Sequence, residues 1–180
     1  MKVVSPEPSR ACRQPFPPDV RNPFRRRDRG RDDPAAIFEE LRDQVLLAPL
    51  PVPGSWAALM EIGTGGGVAT VVVVSDGTTS LYTSSGGGVI GAGDHASVAD
   101  ANQAFLATID RYRAAIPPTE SFPLPLDGEI RFSVRWRDGT RGSAAAANDE
   151  LASGTHALSE AFAAGHDVIS AIREIDEAAP

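Results

Sequence analysis

Lysine is almost missing from this chain: of seventeen basic residues in 180, the only lysine is Lys2, and every other one is arginine. A Walker-type phosphate loop, a Schiff-base enzyme and a low-pKa lysine base all need a lysine inside the fold, so none of these is expected. Cysteine is equally scarce, with Cys12 alone. No internal disulfide or cysteine-based zinc site can form, which suits a reducing, cytoplasmic location. The only histidines are His95, His156 and His166. A metal would need two or three of them to converge with a carboxylate such as Asp94 or Asp167, and no pair has the i, i+4 spacing of a helical zinc site. They read as surface or cap histidines, and neither metal nor cofactor is expected. Long apolar runs are lacking too. The longest, residues 68–74, falls far short of the roughly 20 residues that cross a bilayer, and no signal-peptide core follows the N-terminal charges.

What the chain does have is globular: 42% hydrophobic and 23% charged residues, in a length that makes one ordinary domain. Its charge is divided. Residues 1–33 hold nine basic and five acidic side chains, a net +4, whereas residues 34–180 hold eight and nineteen, a net −11. An acidic body disfavours nucleic acid and anionic membranes as partners. Residues 1–33, rich in proline and arginine with little apolar periodicity, read as a disordered tail, and residues 34–180 as a single α+β domain.

Within that domain, Asp33 and Pro34 open a helix whose stripe is Ile37, Phe38, Leu41 and Val45. A strand over residues 56–62, a glycine-rich turn and an Asp76-Gly77 hairpin follow. Strand 68–74 is apolar on both faces, which calls for cover on each side by a second helix layer or a partner subunit. A helix from about Ala96 carries Val98, Ala101, Phe105, Ile109, Tyr112 and Ile116 and stops at Pro117-Pro118. A second hairpin turns on Asp138-Gly139. A closing helix, capped by Ser159, presents Leu158, Phe162, Val168, Ile169, Ile172 and Ile175. The order is helix, three strands, glycine segment, helix, two strands, helix, and hairpins make the sheet of about five strands mainly antiparallel.

The segment SLYTSSGGGVIGAGDH, residues 80–95, matches G-x-G-x-x-G through Gly86, Gly88 and Gly91. That motif carries a phosphate only between a parallel strand and an immediate helix start. Here a hairpin arm precedes it, the helix starts late, and Asp94 stands where the anion would sit. The spacing therefore predicts a bend or short extra strand, with Asp94 capping the helix. If a ligand binds, Gly86, Gly87, Gly88, Gly91, Gly93 and His95 are the residues to hold it. Ser84 or Ser85 with Asp94 and His95 supplies the residue types of a hydrolytic set, but adjacent Asp94-His95 is a poor orienting pair, and no catalytic residue is expected. Arg131, Arg135 and Arg137 alternate along one hairpin arm; a two-residue turn would set Thr140, Gly142, Ala144 and Ala146 opposite them, leaving the guanidiniums open as a docking face for an acidic protein or as a solvated edge. No aromatic interleaves with them on that face, so single-stranded nucleic acid is not expected.

Two blocks, GVATVVVVSDGTTSLYTSSGGGVIGAGDH and GTHALSEAFAAGHDVISAIRE, resemble a family of uncharacterised bacterial proteins that pair an SLY-x-S-x-GGG-x-I-G-x-G-x-H block with a C-terminal H-x-L-S-x-x-F-x-x-G-x-x-V-I block. The resemblance covers about residues 56–173. It implies that Gly86, Gly87, Gly88, Gly91, Gly93, His95, His156 and Ser159 belong to a shared pattern, and it brings no activity or ligand with it. Thr83 stands where the pattern has an aromatic, and Glu160 where it has proline. The residues point to a non-catalytic cytoplasmic domain working through protein–protein contact, as a homodimer or as an accessory or immunity-like binder. The alternative is a small hydrolase or an anion- or nucleotide-binding protein built on residues 86–95.

Overall fold

The computed structural model describes residues 33–50 and 52–178, so the expected tail lies, apart from Asp33, outside the described residues. Helix α1, Pro34–Leu46, begins where the side chain of Asp33 accepts a hydrogen bond from Ala35 N at 3.1 Å, with Pro34 at its first position. Its deepest residues are Phe38, Arg42 and Leu46, an i, i+4 row. The stripe is thus rotated from the one expected: Leu41 and Val45 are half-buried, and Ile37 is exposed. An arginine occupies the middle of the buried row.

Six strands form one sheet: β1 Ala57–Thr64, β2 Gly67–Val74, β3 Thr79–Thr83, β4 Gly88–Val89, β5 Glu129–Arg135 and β6 Arg141–Ala147, ordered β4-β3-β2-β1-β5-β6. Every pairing is antiparallel, and with α2, Ala96–Arg111, α3, Asn148–Ala152, and α4, Ser159–Ala178, the fold is α+β. The sixth strand is the short β4 that the glycines form. Helix α3 was not foreseen. Helices α2 and α4 cover the face that presents Ala58, Met60, Val71, Val73, Phe132 and Val134, in a core of twenty-two buried apolar residues. Helix α1 covers the other face, where Ala57, Leu59, Val72, Val74 and Tyr82 meet Phe38 and Leu46 in a core of eight. Of the two covers that strand 68–74 could have, the chain supplies the helix layer itself. That strand therefore no longer argues for a partner subunit.

Both Asp-Gly hairpins close one residue away from the expected register. Val74 N donates to Thr78 O and Trp136 N to Thr140 O, giving the three-residue loops 75–77 and 137–139. Gly77 and Gly139 sit at φ +99° and +82°, the left-handed end position of such loops. Asp76 and Asp138 each accept from the backbone N–H two residues on, at 2.9 Å. The shift reverses faces, because side chains alternate along a strand. Gly142, Ala144 and Ala146 pair with Val134, Phe132 and Ile130, while Arg131 faces Ala145 and Arg135 faces Arg141. No helix among the described residues is long and apolar enough to cross a membrane.

Candidate functional site

The glycine segment folds as the β3–β4 hairpin. Thr83 N donates to Gly87 O, Gly86 N to Thr83 O and Gly91 N to the Ser80 hydroxyl, so these amides serve the hairpin and do not converge on an anion. Gly86, Gly87, Gly88 and Gly91 hold φ between +75° and +141°, a region that side chains rarely adopt. Gly93 has a different reason to be glycine: a Cβ there would overlap the Gly77 carbonyl oxygen. Close packing of residues 92–94 against the first Asp-Gly loop places the start of α2.

The hydrolytic set is not assembled. Ser84 is tied to β2, accepting from Val68 N at 2.9 Å, and Ser85 pairs with the Thr83 hydroxyl at 3.2 Å. No hydrogen bond joins either serine to Asp94 or His95 among the described residues. Asp94 does not cap α2 as expected; it ends a short 3-10 turn, His95 takes the N-cap position, and neither side chain bonds the helix N-terminus. The 3-10 turn leads straight into α2 and leaves Asp94 one residue short of that position. At α4 the expected roles are exchanged. His156 Nδ1 accepts from Leu158 N at 3.1 Å, while the Ser159 hydroxyl accepts from His156 N at 3.3 Å. These two bonds resemble a capping box but close the His156–Ser159 turn that leads into α4, whose first residue is Ser159.

The three arginines do not form one open face. Arg131 bonds Glu129 at 2.6 Å and the Ser143 hydroxyl at 3.4 Å, Arg135 reaches the Ala48 carbonyl, and Arg137 stands exposed on the 137–139 loop. Two of them are thus held inside the chain.

Sequence patterning missed a buried polar row beneath α1. Neighbouring strands bring Tyr82, Thr70, Glu61 and Arg131 side by side. Arg42 reaches down from α1 to Glu61, with Nε to Oε1 at 2.6 Å and both residues buried, and also donates to the Phe122 carbonyl at 2.6 Å. Ser133 donates to the other Glu61 oxygen at 3.2 Å. Burial, and then the charge of Glu61, push the Tyr82 hydroxyl well above the ordinary phenol range, with Arg42 opposing. Tyr82 OH, Thr70 Oγ1 and Arg131 Nε, all in this row, are buried without partners among the described residues. Each such group costs about 1–3 kcal/mol. Arginine at an i+4 position of an apolar stripe was the available signal.

Between α1 and the glycine hairpin lies an open groove of about 370 Å³, walled by Pro34, Ile37, Phe38, Tyr82, residues 86–88 and Ile90. Phe38 and Tyr82 form its floor edge to face, 5.6 Å apart. Ile37 is 42% exposed and Ile90 62%. At the other end of the sheet, beside the two Asp-Gly loops, Trp56 and Trp136 stack 5.4 Å apart, and the Arg113 guanidinium lies 4.6 Å over Trp136. Asp138 holds Arg113 there at 2.7 Å. The Thr140 hydroxyl first, and Arg113 second, keep the Asp138 carboxyl below the usual carboxylate range.

No family model matches the chain, and no curated protein or solved structure is significantly similar to it.

Proposed function

We propose that the chain is a non-catalytic domain that works through protein–protein contact, using the groove between α1 and the glycine hairpin. The observation that supports this reading is the groove itself, an apolar surface left uncovered among the described residues while both faces of the sheet are covered. Apolar area exposed in a groove beside polar rims is the usual mark of a partner site. The groove lining carries no charged side chain, and the acidic residues of α1 line a separate hollow on its outer side. The described part of α1 exposes Glu39, Glu40 and Asp43, while its one basic residue, Arg42, is buried. The favoured partner is a segment that seats a large apolar side chain in the groove, with basic residues beside it to meet Glu39, Glu40 and Asp43 on the outer side of α1. Residues 21–27, RNPFRRR, have that composition.

Titration of the full chain carrying Phe24→Ser, which removes the competing segment's apolar side chain, with a peptide of the unaltered sequence tests the reading. Binding is expected to fall at least tenfold for a peptide with serine in place of the phenylalanine, and at least tenfold in an Ile37→Asp/Ile90→Asp variant. Equal binding by the serine peptide, or by the variant, overturns it. Turnover of an ester substrate that His95→Ala abolishes would favour the hydrolase alternative instead.

A further inference from the structure

We propose that the cleft beside the tryptophan pair binds a free α-amino acid with an apolar side chain. The topology builds this cleft at one end of the sheet. Ala57 pairs with Arg135, so Trp56 and Trp136 come next in register and stack, 6% and 5% exposed. Two adjoining hollows of about 450 and 410 Å³ open there, and Trp56, Asp110 and Arg137 line both. Those volumes lie toward the lower end of small-molecule sites, which run from about 300 to 1,000 Å³.

Three groups in the cleft are uncommitted. Trp56 Nε1–H is buried and has no acceptor among the described residues. Arg137 and Asp110 line the same hollow, yet neither side chain takes part in a hydrogen bond or ion pair among the described residues. Arg113, by contrast, is fixed by Asp138 and Thr140 and serves as wall. A guanidinium and a carboxylate in one hollow match a zwitterion. The ligand carboxylate would lie on Arg137 and the ammonium on Asp110, with the Trp56 ring as wall. A simple anion would meet Asp110, and a simple cation would meet Arg113 and Arg137. The second hollow continues over Ala99, Leu106 and Ala107, an apolar strip for an aliphatic side chain, with Asp76, Asn102 and Gln103 along its other edge.

The chain's only two tryptophans are these two, so intrinsic fluorescence reads the site directly. L-leucine added to the full chain is expected to change the emission saturably. 4-Methylpentanoate, which lacks the ammonium, and 3-methylbutylamine, which lacks the carboxylate, should each bind at least tenfold more weakly. Asp110→Asn and Arg137→Gln alter exposed side chains and should each weaken leucine binding tenfold or more, with the unfolding midpoint unchanged. Ile37→Asp should leave leucine binding intact, which separates this site from the α1 groove. No saturable change with leucine, valine or isoleucine at millimolar concentration overturns the proposal. So does equal binding by either half-ligand, or by both cleft variants.

Discussion

Arg42 ties α1 to the sheet through Glu61, and the pair is buried. A buried ion pair adds little over a well-packed apolar pair, but a single buried charge left alone is costly. Arg42→Ala should therefore lower stability by about 3–5 kcal/mol, and Arg42→Met with Glu61→Leu should recover most of the loss, as urea unfolding would measure. Neither residue stood out in the sequence. Glu61 falls in a strand whose alternation looks half-polar, and only the α1 layer reveals that this face is also interior. His166 offers a test by pH. Its ring lies edge-on to Phe162, 4.4 Å away, and partial burial lowers its pKa from the ordinary 6.5, with Asp167 opposing. The unfolded chain then binds the proton more readily than the folded one, so this residue's contribution is intact above pH 6.5 and is lost as pH falls toward and through the lowered value. Unfolding midpoints at pH 7.5 and 5.0 should differ less in His166→Gln than in the unaltered protein. His156 was legible as a cap-type histidine, but its exchange with Ser159 depends on a side-chain rotamer that sequence does not display.

Among the elements, α2 and α4 were the most legible. The stripes through Val98, Phe105 and Ile109 and through Leu158, Val168 and Ile172 are the ones buried. The hairpins were legible in place and not in register, because a three-residue loop ending in left-handed glycine and a two-residue turn share the same Asp-Gly dipeptide. That one-residue difference removed the open arginine face. The glycine segment divides by mechanism, and two substitutions separate the causes. Gly87→Ala meets no neighbour within 4 Å and should cost only the left-handed strain, about 1–2 kcal/mol. Gly93→Ala drives its methyl into the Gly77 carbonyl and must move backbone. Its unfolding midpoint is expected to fall further than that of Gly87→Ala. A smaller drop would mean that the start of α2 does not lean on the 75–77 loop.

At the scale of the whole molecule, α1 is the less anchored layer. Its core holds eight buried apolar residues against twenty-two on the other side. At about 1.5–3 kcal/mol per buried large side chain, even the smaller core contributes on the order of 10 kcal/mol before conformational entropy is charged against it. That is comparable to the 5–15 kcal/mol by which a whole domain is stable. A chain beginning at residue 52 should therefore lose cooperative unfolding and associate on gel filtration, as Leu59, Val72 and Val74 reach water; a sharp, monomeric transition would refute the two-layer account. The sequence by itself determined the stripes of α2 and α4 and the antiparallel hairpin order, since these depend on residue type and on spacing along the chain. Only the tertiary structure decided which residues share a face across strands. It set Arg42 over Glu61, turned the three arginines apart and brought Trp56 beside Trp136. Such neighbours are joined by register and layer packing over long separations in sequence, and no local pattern encodes them.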